Sequence, residues 1–119
     1  MDEFKEKYPI LYKHINYFDC GPGWNSLLHD LSGKLERLIE EYIEEDESGY
    51  VPSASQVKEK HGSLRFYMNM ASQEMWDEVE KAEQISKCIC EKCGELGHIE
   101  KVNGWLYCRC EDCFANMCK

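Results

Sequence analysis

The chain has 119 residues, 23 of them acidic and 14 basic, and a net charge of −9. That length supports one core and would starve two, and the charge repels a nucleic-acid backbone unless the few cations converge, because non-specific affinity rests on phosphate neutralisation. The opening MDEFKEKYPI is acidic and mixed, and nowhere do about eighteen apolar residues follow one another, so neither export nor membrane spanning is supported and a soluble intracellular protein is expected.

Residues 4–18, FKEKYPILYKHINYF, are rich in aromatics and broken by Pro9, which reads as a short helix or irregular arm packing through Phe4, Tyr8, Ile10, Leu11, Ile15 and Phe18. In DCGPGWN the glycines and proline enforce a turn, after which Asn25 or Ser26 offers an oxygen to cap a helix. Leu27, Leu28, Leu31, Leu35, Leu38, Ile39, Tyr42 and Ile43 follow at helical spacing, with Glu36, Glu40, Glu41 and Glu44 on the other face, predicting a helix over 26–46. EDESGYVPSAS ends it with a charge run, Gly49 and Pro52.

The segment QVKEKHGSLRFYMNM, 56–70, is a positive island: residues 51–70 sum to +2, against −6 over 26–50. Gln56–His61 reads as a short helical turn stopped by Gly62. SLRFYMNM then alternates as a half-buried strand over 63–70, with Leu64, Phe66, Met68 and Met70 inward and Ser63, Arg65, Tyr67 and Asn69 outward. Ser72 can cap a second helix to about Ser86, with Met75, Trp76, Val79, Ala82 and Ile85 as its buried stripe.

Seven of the eight cysteines crowd the last 32 residues. An even count suggests disulfides, but without a secretion signal that reading loses its compartment, and metal explains the pattern better. Cys90-x2-Cys93-Gly94 and Cys110-x2-Cys113 form two knuckles able to complete a tetrahedral site of four cysteines, with the glycine letting the chain reverse. Cys88 and Cys108 each sit two residues upstream of a knuckle, which leaves the register open. The assignment chosen is Cys90, Cys93, Cys110 and Cys113 for one zinc ion per chain, with Cys88, Cys108 and Cys118 spare; a second ion would need His98. Four thiolates leave no place for water, so the zinc is expected to be structural.

Arg65 and Tyr67 share the outward face of their strand, and Lys58, Lys60 and His61 enter just before it. A guanidinium forks onto phosphate or carboxylate while a phenol stacks or donates, which suits an anionic, nucleotide-like ligand. The plainer alternative pairs Arg65 with an acidic residue of 36–47 or 74–83, since acids outnumber bases. Trp24 is either a stacking surface for a ligand or, the preferred reading, a core anchor; Cys20 has no basic neighbour and reads as a buried small hydrophobe. The acidic helix could steer the protein to a cationic partner. His14, His29, His61 and His98 are scattered singly, and Gly21-Pro22-Gly23 lacks a following Lys-Ser or Lys-Thr, so no catalytic constellation is read.

Taken in order, Cys20-Gly21-Pro22-Gly23-Trp24, a Leu-rich helix, Gln56-Val57-Lys58-Glu59-Lys60-x-Gly62-x-Leu64-Arg65-Phe66-Tyr67, Cys90-x2-Cys93-Gly94-x2-Gly97 and Gly104-Trp105 before a last metal pair resemble a group of small, mostly uncharacterised bacteriophage and prophage proteins. The resemblance spans about residues 18 to 113. It departs at His61, where the family usually carries an aromatic, and at Cys113, where the last pair is often Cys-x2-His. It implies an accessory protein in the cytoplasm of a bacterial host, acting on host physiology or defence, and it carries no reaction.

The expectation is therefore an α+β domain: a body over 1–87 with two main helices and a small antiparallel sheet, and a zinc-ribbon-like unit over 88–119 packed on it, with short strands around 104–107. Its expected function is non-catalytic binding to a host protein or defence signal. The alternative is sequestration of an anionic nucleotide-like molecule through Lys58, Lys60, Arg65, Tyr67 and Trp24, and nucleic-acid binding by the ribbon comes third.

Overall fold

The computed structural model describes residues 1–117, so Cys118 lies outside the described residues. The order is α1 (Asp2–Lys7), a single 3-10 turn (Pro22–Trp24), α2 (Asn25–Glu45), β1 (Ser53–Lys60), β2 (Ser63–Asn69), α3 (Gln73–Ser86), β3 (His98–Val102), β4 (Trp105–Arg109) and α4 (Glu111–Met117). β1 and β2 form one antiparallel pair and β3 and β4 another. The architecture is α+β, with α2 and α3 as the main helices.

The leucine spacing dictates α2, whose buried side is Leu27, Leu28, Leu31, Leu35 and Ile39. Its start differs from expectation: the Pro22–Trp24 turn runs directly into the helix, and neither Asn25 nor Ser26 caps it by a side chain. Glu36 is not on the solvent face. It is 7% exposed, and its carboxylate accepts the backbone N–H of Leu11 at 2.8 Å and of Ile10 at 3.2 Å. The arm beyond Pro9 is thereby pinned to α2, with Phe4, Leu11, Tyr12 and Ile15 buried beneath it. Tyr12, absent from the expected packing set, is fully buried and hydrogen-bonds through its hydroxyl to Ser32.

Gln56–His61 is not helical. It belongs to β1, which pairs with β2 in the register Val57 with Phe66, Lys58 with Arg65 and Lys60 with Ser63. Gly62 ends a strand rather than a helical turn: His61 and Gly62 take φ of 56° and 82° and close a two-residue hairpin, both left-handed as a type I′ turn demands. Leu64, Phe66 and Met68 enter the core as their alternation requires, whereas Met70 lies past the strand end and is exposed.

Ser72 caps α3, accepting from Met75 N at 3.3 Å. The buried stripe is Met75, Val79, Ala82 and Ser86, because the helical step from Ala82 lands on Ser86; Trp76 and Ile85 sit on the flanks and are exposed. Ser86 Oγ donates to Glu83 O at 2.6 Å and accepts Leu64 N at 2.9 Å, while Glu83 Oε2 accepts Phe66 N at 2.9 Å. Side chains of α3 thus cover the free edge of β2. Asp19 covers that of β1, donating its N–H to Val57 O and accepting Glu59 N, both at 2.9 Å. Both edges are satisfied within the chain. No helix among the described residues is long and apolar enough to cross a membrane.

Candidate metal centre and binding face

The first knuckle is built by its backbone. Gly94 N–H donates to Cys90 O at 2.9 Å, Cys93 N–H points at Cys90 Sγ at 3.4 Å, and Gly94 takes the left-handed φ of 85° that reverses the chain. The second pair differs from the expected knuckle. Cys110 directly precedes α4 and its carbonyl accepts Phe114 N at 3.0 Å, so Cys113 arrives from the first turn of a helix. The β3–β4 hairpin between the pairs folds them together through an Asn103-Gly104 turn, at φ of 51° and 87°.

Cys90, Cys93, Cys110 and Cys113 converge with all four sulfur atoms within 4.8 Å of one another, Cys93 and Cys110 at 3.6 Å. Tetrahedral coordination at a zinc–sulfur distance near 2.3 Å places neighbouring sulfurs about 3.8 Å apart, so the cluster is close to the size of a metal-thiolate site. Burial pushes the Cys90 thiol up, but backbone N–H groups of Cys93, Cys110 and Lys92 outweigh it and bring the thiol down to about 6. These four cysteines can hold a metal ion.

The remaining described thiols are placed apart. Cys108 is buried, its S–H directed at the carbonyls of Ser86, Lys87 and Ile89 at 3.1–3.3 Å, where α3 ends; burial, then the neighbouring Cys90, push its thiol up to about 11. Cys20 is pushed up to about 12 by burial and by the carboxylates of Glu91, Asp19 and Glu59. Cys88 is exposed. His98 turns to the Phe114 ring, 5.2 Å away, and to Glu100.

No family model, curated protein or solved structure matches this chain. Its motifs are therefore explained by their own contacts. The Gly-Pro-Gly-Trp turn is where the first knuckle docks: Gly23 N–H donates to Glu91 O at 2.6 Å, Gly21 N–H to Glu91 Oε2 at 2.7 Å, and Trp24 Nε1–H to Ile89 O at 2.9 Å. A Cβ on Gly23 would sit 2.1 Å from Cys90 O, so only glycine admits this approach. Trp24 is 0% exposed. Its ring offers no face to a ligand, and the stacking role considered for it falls to the role of core anchor.

The other expected ligand residues do share a surface. Across the hairpin Lys58 faces Arg65 and Gln56 faces Tyr67, and Lys60 continues the same side opposite Ser63. Lys60 and Tyr67 are exposed, Lys58 and Arg65 half-buried. The expected pairing of Arg65 with a helix carboxylate is not made: among the described residues no ion pair involves Lys58, Lys60 or Arg65. Glu83, a candidate partner, is instead hydrogen-bonded to the Phe66 backbone. Arg65 Nε is shielded from solvent without a hydrogen-bond partner. His61 stands at the hairpin tip.

Sequence reasoning missed a cleft of about 420 Å³ between residues 14–19 and β1, lined by His14, Asn16, Tyr17, Asp19, Ser55 and Gln56 over Ile15 and Val57. Only the register break at Ser55 marks it, and that break exists in the paired sheet, not in the string of residues.

Proposed function

We propose that this chain is a non-catalytic binding protein organised by one structural zinc ion, acting in the bacterial cytoplasm as a phage or prophage accessory protein on a host protein or a host defence signal. The convergence of four cysteine sulfurs within 4.8 Å carries the zinc part of this reading. A thiolate set suits zinc, and four protein ligands close its shell, which is the arrangement of a structural rather than a catalytic ion. For the partner, the exposed carboxylates Glu40, Glu41, Glu44 and Glu45 along α2 supply a field that steers a cationic protein surface. Native mass spectrometry of the purified chain should show one zinc per polypeptide, lost from the Cys93→Ser variant. Two ions, or none, would overturn the assignment. Capture of host partners should weaken with salt and with Glu40→Lys/Glu44→Lys; a partner indifferent to both would count against the acidic face.

The cross-strand placement of Lys58 and Arg65, with Tyr67 beside them, favours a second reading in which the hairpin face binds an anionic small molecule. In a chain with nine more acids than bases, three cations on one face without carboxylate partners among the described residues are unusual enough to want an external anion.

A further inference from the structure

Resting on that second reading, we propose that the hairpin face is one half of a free-mononucleotide site whose other half is the cleft between residues 14–19 and β1. The two are continuous through shared residues. Asp19 lines the cleft and also bridges in parallel to Lys58; Gln56 lines the cleft and also stands opposite Tyr67. Residues facing one another across paired strands project to the same side. The face that carries Lys58, Arg65 and Tyr67 thus adjoins the cleft through Gln56.

The chemistry of the two halves differs in the way a nucleotide's does. The cleft offers amides at Asn16 and Gln56, a carboxylate at Asp19 and a hydroxyl at Ser55, and its lining also includes the apolar residues Ile15 and Val57. That combination suits a flat heteroaromatic ring, whose edge hydrogen-bonds and whose face is apolar; the Tyr17 ring, 70% exposed, can cover it. Its volume falls within the range of roughly 300–1,000 Å³ typical of small-molecule sites. The pairing register slips between Ala54 and Gln56, so Ser55 is the extra residue of a bulge, a device that turns a side chain away from the sheet next to a site. On the other half, the Arg65 guanidinium is committed to no acceptor among the described residues, and with Lys58 opposite it can fork onto a phosphate. The Asp19 carboxylate belongs to the cleft half, whose lining it joins, while only its backbone bridges to Lys58. It opposes phosphate but accepts from a base amino group or a sugar hydroxyl, which sets the direction in which the ligand lies.

The test titrates the zinc-loaded full chain with the four common nucleoside monophosphates and separately with inorganic phosphate, at constant ionic strength, by calorimetry. Monophosphates avoid the stronger chelation of zinc by triphosphates. At least one monophosphate should bind more than ~10-fold tighter than inorganic phosphate, a gap of ~1.4 kcal/mol. Arg65→Ala should weaken both titrants. Ser55→Trp, placed at an exposed bulge and checked for an unchanged melting temperature, should weaken only the nucleotide. If phosphate binds through Arg65 but no nucleotide binds tighter, or Ser55→Trp changes nothing, the cleft proposal fails while the anion reading stands. If neither titrant binds, both fail. A short single strand that outcompetes every monophosphate would overturn the assignment to a free nucleotide.

Discussion

Glu36 shows how one side chain can fix the path of a distant segment. A carboxylate buried in a helix face is costly unless its charge is met by hydrogen bonds, and here the N–H groups of Ile10 and Leu11 meet it. Those two groups follow Pro9, where the chain has left α1, and they have no helical partner to lose. Glu36→Ala would strand both in a dry interior, and a buried donor left unpaired costs ~1–3 kcal/mol. The expected loss is ~2–4 kcal/mol of unfolding free energy, read from urea denaturation. Glu36→Gln, which keeps one acceptor, should recover part of it. A Glu36→Ala chain as stable as the parent would mean that the arm is held by its aromatic contacts alone. The sequence placed this residue on the solvent face because helical periodicity sees only its own helix; what buries Glu36 is a backbone 25 residues away.

The two hairpins carry the same turn chemistry in different settings. Gly62 and Gly104 both occupy the left-handed second position, at φ of 82° and 87°, and an L side chain there costs ~1–2 kcal/mol. A Cβ at Gly104 would meet nothing within 4 Å, whereas at Gly62 it would lie 3.3 Å from two Ile99 side-chain carbons and 3.4 Å from the Tyr107 backbone. Gly104→Ala should therefore cost the conformational penalty alone. Gly62→Ala should cost that penalty plus the disturbance of the contact between the hairpin tip and β3–β4, seen as a larger drop in urea midpoint and a shift of the Ile99 methyl resonances. Equal losses at the two sites would show that the tip does not bear on the C-terminal unit. Legibility divides along the same line. α2 and α3 could be read because many apolar residues repeat one period, and the cysteine tetrad because Cys-x2-Cys spacing brings two sulfurs together locally, whether through the knuckle at Cys90–Cys93 or the first turn of α4 at Cys110–Cys113. β1 could not: it has Ala54 and Val57 as its only apolar residues, its charges mimic a helix surface, and its strand state comes from pairing with β2. The Ser55 bulge and its cleft arise one step later still.

At the scale of the whole molecule, metal binding and the body's core are joined at one turn. Cys108, Ile89 and Ile99 pack into the same apolar cluster as Trp24 and Leu28, and Trp24, Gly21 and Gly23 hydrogen-bond to Ile89 and Glu91 on either side of the Cys90 ligand. Linkage then runs both ways: whatever ties the knuckle down stabilises the body, and whatever holds the turn favours the ion. Zinc in isolated finger peptides binds with about 10–16 kcal/mol, as much as a domain's entire stability of about 5–15 kcal/mol, so an ion held with comparable strength by these four cysteines would not leave as a local event. Chelation should lower the melting temperature of the entire chain and shift tryptophan emission to the red. Trp24, at 0% exposed, has the most cover to lose, against 38% for Trp76 and 69% for Trp105, so it should contribute most of the change. Gly23→Ala should act from the other side, since its Cβ would collide with the Cys90 carbonyl; the expected result is weaker zinc retention in a chelator competition, although no ligand has been touched. A body that melts unchanged after chelation, with Trp24 emission unmoved, would establish that the C-terminal unit folds on its own account and that the glycine turn is only a point of contact.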